Sequence, residues 1–227
     1  MVENYSVVVP AYNAAGTIAE TLDSILRQSV PPAEIIVVDD GSTDATAQVA
    51  RARDPLVTLI SQTNRGCGAA SNTGIARVTT DYIAFLDADD IWLPDKARRQ
   101  LAAFAATPAL SGVFSRVRLC RQPSTEPDQG SVIDLWSRTT LMIRTTAARR
   151  IGDMIDPPGM RGDMVDWIAR GRDLGMEFEM LQDTLALRRI RPGSLAFGRD
   201  ADKDRGYLIA VKRALDRRRA GQSDDVA

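Results

Sequence analysis

Tyr82-Ile83-Ala84-Phe85-Leu86-Asp87-Ala88-Asp89-Asp90-Ile91-Trp92 is the stretch whose reading decides the fold. Its first five residues form an apolar run with the length and composition of a buried strand. The run stops in three carboxylates, Asp87, Asp89 and Asp90. A strand holds groups at its C-terminal end in a fixed place, and in open α/β sheets ligands bind outside that edge. With only Ala88 between them, Asp87 and Asp89 can both reach one hard cation. Mg²⁺ takes one or two protein carboxylates and fills its shell with water and phosphate oxygens. The same residues also suit a solvated acidic turn that caps the next helix, and the preceding segments weigh against that alternative.

Those segments alternate strand and helix. Ser6–Val9 is a strand closed by Pro10, and Ile18, Leu22, Ile25 and Leu26 fall on one helical face. Pro31-Pro32 ends that helix. Glu34–Val38 is a second strand running straight into Asp39-Asp40-Gly41-Ser42-Thr43-Asp44, with a helix predicted from about Asp44 to Arg53. A third strand covers Leu56–Ile60, and the small residues from Asn64 to Ala70 open another helix before the strand that ends at Leu86. This βαβαβαβ order predicts a parallel sheet with right-handed crossovers. Asp39 and Asp40 therefore share an edge with Asp87 and Asp89. A cation suits one acidic pair, and donor groups of a nucleotide base or ribose suit the other. Ser42, Thr43 and Asp44 also make a good turn and N-cap. Tyr12 can stack on a base or simply pack. Gly66 and Gly68 allow close backbone approach beside the fixed charge of Arg65, a combination that suits a phosphate.

Composition narrows the classes. The 227 residues can bury a sizeable core; 44% are hydrophobic and 26% charged, as in ordinary globular proteins. The net charge of −1 names no anionic or cationic partner, and no nucleic acid is expected. No stretch approaches the roughly 20 apolar residues of a transmembrane helix, and the start lacks a signal-peptide pattern. Cys67 and Cys120 give neither a disulfide framework nor metal-type spacing, so the chain reads as cytoplasmic. It has no histidine, which removes the commonest general base and metal ligand.

Val7–Asn13 (VVVPAYN), Val37–Asp44 (VVDDGSTD), Asn64–Gly74 (NRGCGAASNTG) and Phe85–Asp90 (FLDADD), in this order and spacing, resemble the inverting glycosyltransferases of family 2. The likeness is close over roughly the first 95 residues. It implies the GT-A fold, a Rossmann-like, mainly parallel α/β sheet flanked by helices, and a nucleotide-diphospho-sugar donor, with a UDP-sugar the first expectation. The family pattern puts Pro10, Tyr12, Asn13, Asp39 and Asp40 around base and ribose. It brings Arg65 and the Gly66–Asn72 segment to the nucleotide and phosphates. It also makes Asp87, Ala88 and Asp89 the D-x-D that holds Mg²⁺ or Mn²⁺, Asp89 being the more direct ligand.

The second half is less regular. Residues 95–106 read as an alanine-rich helix, Val113–Leu119 and Thr139–Ile143 as strands, and Thr145–Ile151 as a short helix. Gln122–Gly130 is polar and Pro-containing, a candidate flap. A further helix begins near Asp163 and carries Asp166 on the same face. In-line sugar transfer needs a carboxylate to take the acceptor hydroxyl's proton. Asp163 matches the family's acidic position, while Met164 stands where relatives often have a second acid. Asp166 is the other candidate, with pairing to Arg170 as its structural alternative. Arg191 stands where many relatives carry histidine; an arginine stays protonated and cannot ligate, but it can contact a diphosphate.

From Arg188 to Arg219 the sequence is strongly basic. Tyr207, Leu208, Val211 and Leu215 mark a terminal helix over 202–219 with one apolar stripe. It reads as a solvated basic helix docked on the core, with a partner protein, an anionic membrane surface or nucleic acid as the alternatives that the sequence leaves open. This gives a nucleotide-sugar half over 1–120, an acceptor half over 121–195 and a basic helical extension over 196–227. The expected activity is metal-dependent sugar transfer with inversion to an acceptor hydroxyl, by a chain that can also pair as a homodimer. A catalytically impaired nucleotide-sugar-binding protein is the alternative that Met164 and Arg191 raise. A nucleotidyltransferase is less well matched, because no glycine-rich loop with a following basic residue succeeds the first strand.

Overall fold

The computed structural model describes residues 4–121, 130–159, 161–190 and 201–224. Four strands, β1 (Tyr5–Ala11), β2 (Glu34–Asp39), β3 (Val57–Ser61) and β4 (Tyr82–Phe85), run parallel in the order β3-β2-β1-β4. Helices α1 (Ile18–Leu26), α2 (Thr46–Arg51) and α3 (Cys67–Ile75) make the crossovers. Branched apolar residues fill both faces of the central strands, as expected where helices cover a sheet on both sides. Val7, Val9, Ile35 and Val37 face one core layer with α1, whereas Val8, Ile36, Val38 and Phe85 face the other with α3.

Beyond β4 the sheet becomes mixed. β5 (Ile91–Trp92), β6 (Leu110–Arg121), β7 (Val132–Asp134), β8 (Met142–Arg144) and β9 (Glu177–Ile190) extend it. β8 is antiparallel to β4 and to β6, β9 is parallel to β6, and β5 is antiparallel to β9. Helices α4 (Lys96–Ala106), α5 (Thr145–Ile151), α6 (Asp163–Asp173) and α7 (Ala201–Asp224) complete the described residues. The strictly parallel pattern thus holds for the first half, and the whole is a mixed α/β sheet flanked by helices with a C-terminal helix.

The strand expected over Thr139–Ile143 is instead a 3₁₀ turn, Arg138–Thr140, followed by β8. The threonine hydroxyls drive this: Thr140 donates to the Leu135 carbonyl at 2.5 Å and Thr139 to Asp90 at 2.5 Å. β-Branched residues that suit a strand are here held in a turn by their side-chain hydrogen bonds. The helix expected from Asp44 begins at Thr46, because the Asp44 carboxylate accepts the Thr46 and Ala15 N–H groups from in front of it. Most of the candidate flap, 122–129, lies outside the described residues.

Candidate active site

The C-terminal ends of β1, β2 and β4 open into a cleft of about 920 Å³. Pro10–Ala14, Asp40, Gly66, Cys67 and Asp87–Asp90 form one wall. Asp134–Arg138, Arg161–Val165, Arg188, Arg189 and Tyr207 form the other. The two helices whose starts reach the cleft, α3 and α6, both begin after a glycine with positive φ, Gly66 (99°) and Gly162 (104°). Only glycine enters a helix from that conformation without strain.

On the first wall, Tyr12 is half exposed and so offers a ring face. Asn13 stitches its loop to the acidic turn after β2: its N–H donates to the Ser42 hydroxyl at 2.9 Å and its side-chain oxygen accepts the Thr43 N–H at 2.9 Å. Asp39 is buried under that turn and accepts the Ser42 N–H at 3.3 Å. Asp40 accepts three donors, Gln62 Nε2 at 2.7 Å, Arg65 N at 3.0 Å and Gly66 N at 2.8 Å. Its carboxylate thus builds the loop that precedes α3, where the expectation was a partner for base and ribose.

The N-terminus of α3 is likewise engaged from within the chain. Asp156 accepts the Gly68 N–H at 3.0 Å and the Ala69 N–H at 3.1 Å. Burial raises the Asp156 pKa, and the two N–H groups pull against it. Asn72 clamps the same loop through both Met154 backbone groups, and the Arg65 side chain donates outward to Gln62. So the helix start and Asn72, expected at the phosphates, hold the segment that carries Met154 and Asp156, because Asp156 supplies the negative charge a helix start favours.

The turn after β4 is organised differently. The Ala88 carbonyl accepts Thr17 and Thr21 hydroxyls at 2.9 and 3.1 Å, which fixes the turn on α1. Asp87 and Asp89 are partly exposed in the cleft, while Asp90 is buried. Asp90 accepts the Thr139 hydroxyl and, at 3.0 Å, the Arg189 N–H, and so ties β9 to this turn. Burial, then the charges of Asp89 and Asp87, push the Asp90 pKa well above the usual carboxylate range. Asp87 and Asp89 supply hard oxygen donors. Among the described residues no group of three or more His, Cys, Asp or Glu side chains converges to hold an ion alone. The pair therefore fits a cation that completes its shell from water and ligand oxygens, as Mg²⁺ does.

Arg138 links this turn to α6. Its Nε donates to Asp87 at 3.3 Å, and its terminal nitrogen forms a short ion pair with Asp163. Arg138 and Asp163 are buried, with 7% and 5% of their surface exposed, so both charges are held in low dielectric. Burial alone would lower the guanidinium pKa. The charges of Asp163 and Asp87 and the hydrogen bond to Asp163 raise it further than burial lowers it, and Arg138 stays protonated. Burial also pushes the Cys67 thiol well up, so it is not a thiolate nucleophile near neutral pH.

Asp166 has a separate place. It is buried and accepts Arg170 at 3.1 Å and Arg217 of α7 at 2.8 Å. The one-turn spacing that put Asp163 and Asp166 on a common face sends them to different partners, and only Asp163 lines the cleft of the two. Arg191 lies outside the described residues. Arg138, Asp90 and Asp156 were absent from the expected site. A charged Arg138 within Leu135–Leu141, otherwise apolar or hydroxylic, was the available signal, since buried charges are paired.

Known proteins bear on this geometry. The family described as "Glycosyl transferase family 2" matches residues 6–168. An uncharacterized glycosyltransferase of Nostoc sp. is 35% identical over 130 residues, which cover 56% of this chain and 40% of that protein. The chain therefore spans well under half the length of that relative. Among solved structures, S. aureus TarS residues 1–349 in complex with UDP-GlcNAc superposes with a TM-score of 0.73 at 20% identity, over 93% of this chain and 65% of that one. A mannosyltransferase from Pyrobaculum calidifontis, in complex with GDP-Man and Mn²⁺, gives 0.67 at 20% identity over 93% and 69%. At these identities the two structures establish the shared fold.

Proposed function

Because the chain belongs to glycosyl transferase family 2, we propose that it transfers a sugar from a nucleotide-diphospho-sugar to an acceptor hydroxyl, with inversion and with Mg²⁺ or Mn²⁺. The observation that carries this reading is Arg138, which spans the cleft between Asp87 of the acidic turn and Asp163 at the start of α6. A donor-side carboxylate and a candidate base are thereby held on one rigid cation.

The roles follow from the surroundings of each residue. Tyr12 offers a stacking face for the base, with Pro10 and Asn13 shaping the same wall. Asp39 and Asp40 act as builders of the pocket, holding the Ser42 turn and the Arg65–Gly66 loop, which face the nucleotide. Asp87 and Asp89 would hold the cation, which when bound neutralises the diphosphate as it leaves. Asp163 takes the proton of the acceptor hydroxyl as the oxygen attacks, and Arg138 fixes its carboxylate in direction. A one-step displacement with one base is the chemistry of inversion. Asp166 holds α6 and α7 together and stays outside the reaction. We place the donor side within 1–120 and the acceptor side within 121–195.

Relatives of this fold bind UDP-GlcNAc and GDP-Man, so radiolabelled UDP- and GDP-sugars with Mn²⁺ are the substrates to use, UDP-sugars first. The expected result is slow metal-dependent hydrolysis of one donor without acceptor, abolished by EDTA, together with thermal stabilisation by the matching nucleotide diphosphate. Equal nucleotide-diphosphate affinity with and without metal would remove the metal role. No stabilisation by any donor would remove the transfer reading.

A further inference from the structure

The terminal helix turns its apolar stripe away from the protein. α7 lies against α6 and the loop before it: Gly206 and Ala210 are buried, Gly206 abuts Gly162, and a Cβ at Gly206 would collide with the Arg161 carbonyl oxygen. Ion pairs fasten this face: Arg161 to Asp204 at 2.5 Å, and Arg217 to Asp166 at 2.8 Å and Asp173 at 3.0 Å. Docking is thus made by small residues and charges, and not by the apolar stripe. That stripe is in solvent: Tyr207 is 44% exposed, Leu208 72%, Val211 48% and Leu215 48%. At 100° per residue, Leu208, Val211 and Leu215 fall within about 60° of one another and roughly opposite Gly206. Arg205, Lys212 and Arg219 are exposed along one border of the stripe, together with Asp216.

Four large apolar side chains held outward by a polar docking face gain nothing from water. A basic border beside an apolar stripe is what an interfacial helix presents, with the stripe in the acyl boundary and Lys and Arg among anionic headgroups. A second copy seated antiparallel on the stripe would instead bring two basic borders to one face, where like charges oppose. We propose that α7 seats this protein on an anionic lipid surface. Tyr207 belongs to both the stripe and the cleft wall, and the exposed Val165 lines the same wall. Seating α7 therefore brings the cleft mouth to the lipid. The corollary, that the acceptor hydroxyl is carried by a molecule held at that surface, rests on the sugar-transfer reading; the seating itself does not.

Co-sedimentation of the full chain with phosphatidylcholine vesicles, plain or containing about one-third phosphatidylglycerol, tests it. Binding is expected to the anionic vesicles, weaker to the plain ones, and weakened by salt. Leu208→Glu/Leu215→Glu should lower partitioning by roughly 10- to 100-fold, and Lys212→Glu should lower it on anionic vesicles alone. These side chains lie outside the cleft lining, so circular dichroism and thermal stabilisation by nucleotide diphosphate should match wild type. Loss of donor binding in wild type with vesicle binding intact would strike the sugar-transfer reading and leave the seating standing. Absent vesicle binding by wild type, or equal binding by the double variant, overturns the seating. So does a wild-type dimer in light scattering that the double variant splits, since the stripe would then belong to a second copy.

Discussion

Two acidic turns, one after β2 and one after β4, flank the same central strand and look alike in sequence. Their wiring differs. The partners of Asp39 and Asp40 lie 3 to 26 residues away, and the groups named there and at Asn13 come from two short stretches, Ser42–Thr43 and Gln62–Gly66. The partners of Asp87 and Asp90 lie 49 to 99 residues away, on Arg138, Thr139 and Arg189. The first set of contacts is local and shapes the loops beside the cleft, whereas the second joins the two halves of the chain across it. Residue type places both at the ligand edge; the origin of the donors separates their work.

The largest test of that distinction is Asp163→Asn, at the far end of the second turn's network. Steady-state turnover should fall by about 10²–10⁴-fold with donor binding retained, while Asp166→Asn should change turnover far less. The reverse order of the two would exchange their roles. Arg138→Met comes next. It leaves Asp163 buried without its cation, and urea unfolding should show a loss of about 3–5 kcal/mol. Adding Asp163→Asn should recover part of that loss, and strict additivity of the two would show that the pair is not coupled.

Asp89→Asn sharpens the comparison from the ligand side. Nucleotide-diphosphate affinity measured with Mn²⁺ should drop at least about tenfold, or ~1.4 kcal/mol, with no change in EDTA. Equal losses in both conditions would make Asp89 a direct nucleotide contact. The smallest effect is expected in the first turn. Asp40→Ala strips the Gln62, Arg65 and Gly66 donors of their acceptor and should cost about 1–3 kcal/mol of unfolding free energy. A variant as stable as wild type that still loses nucleotide binding would return Asp40 to the base and ribose.

The sequence made the first half legible for a physical reason. In β1 to β4 the apolar runs, the helical stripes and the breaker at Pro31-Pro32 all act locally, and each strand end falls within a residue or two of its expected place. The second half depends on distance. Thr139 and Thr140 look like strand residues until Asp90 and Leu135 supply acceptors for their hydroxyls. Arg138 is one charge among many until two carboxylates, 51 residues before and 25 after, close on it. Periodicity found the stripe of α7, but it carries no information on whether a stripe turns inward or outward; Gly206 and the arginine pairs decide that.

The pairing of β4 with β8 has a consequence for biosynthesis. Tyr82 to Ala84 find their antiparallel partners in Arg144 to Met142. A nascent chain that has emerged only as far as β4 therefore carries an apolar strand, Tyr-Ile-Ala-Phe, with its outer row of N–H and C=O groups open. Such an edge templates strand addition from other chains. The interval in which some sixty residues are still to be synthesised, on the order of several seconds at ribosomal rates, is when this protein most needs a chaperone. Fragments ending before β8 should go to inclusion bodies even though they contain every sequence motif of the nucleotide wall.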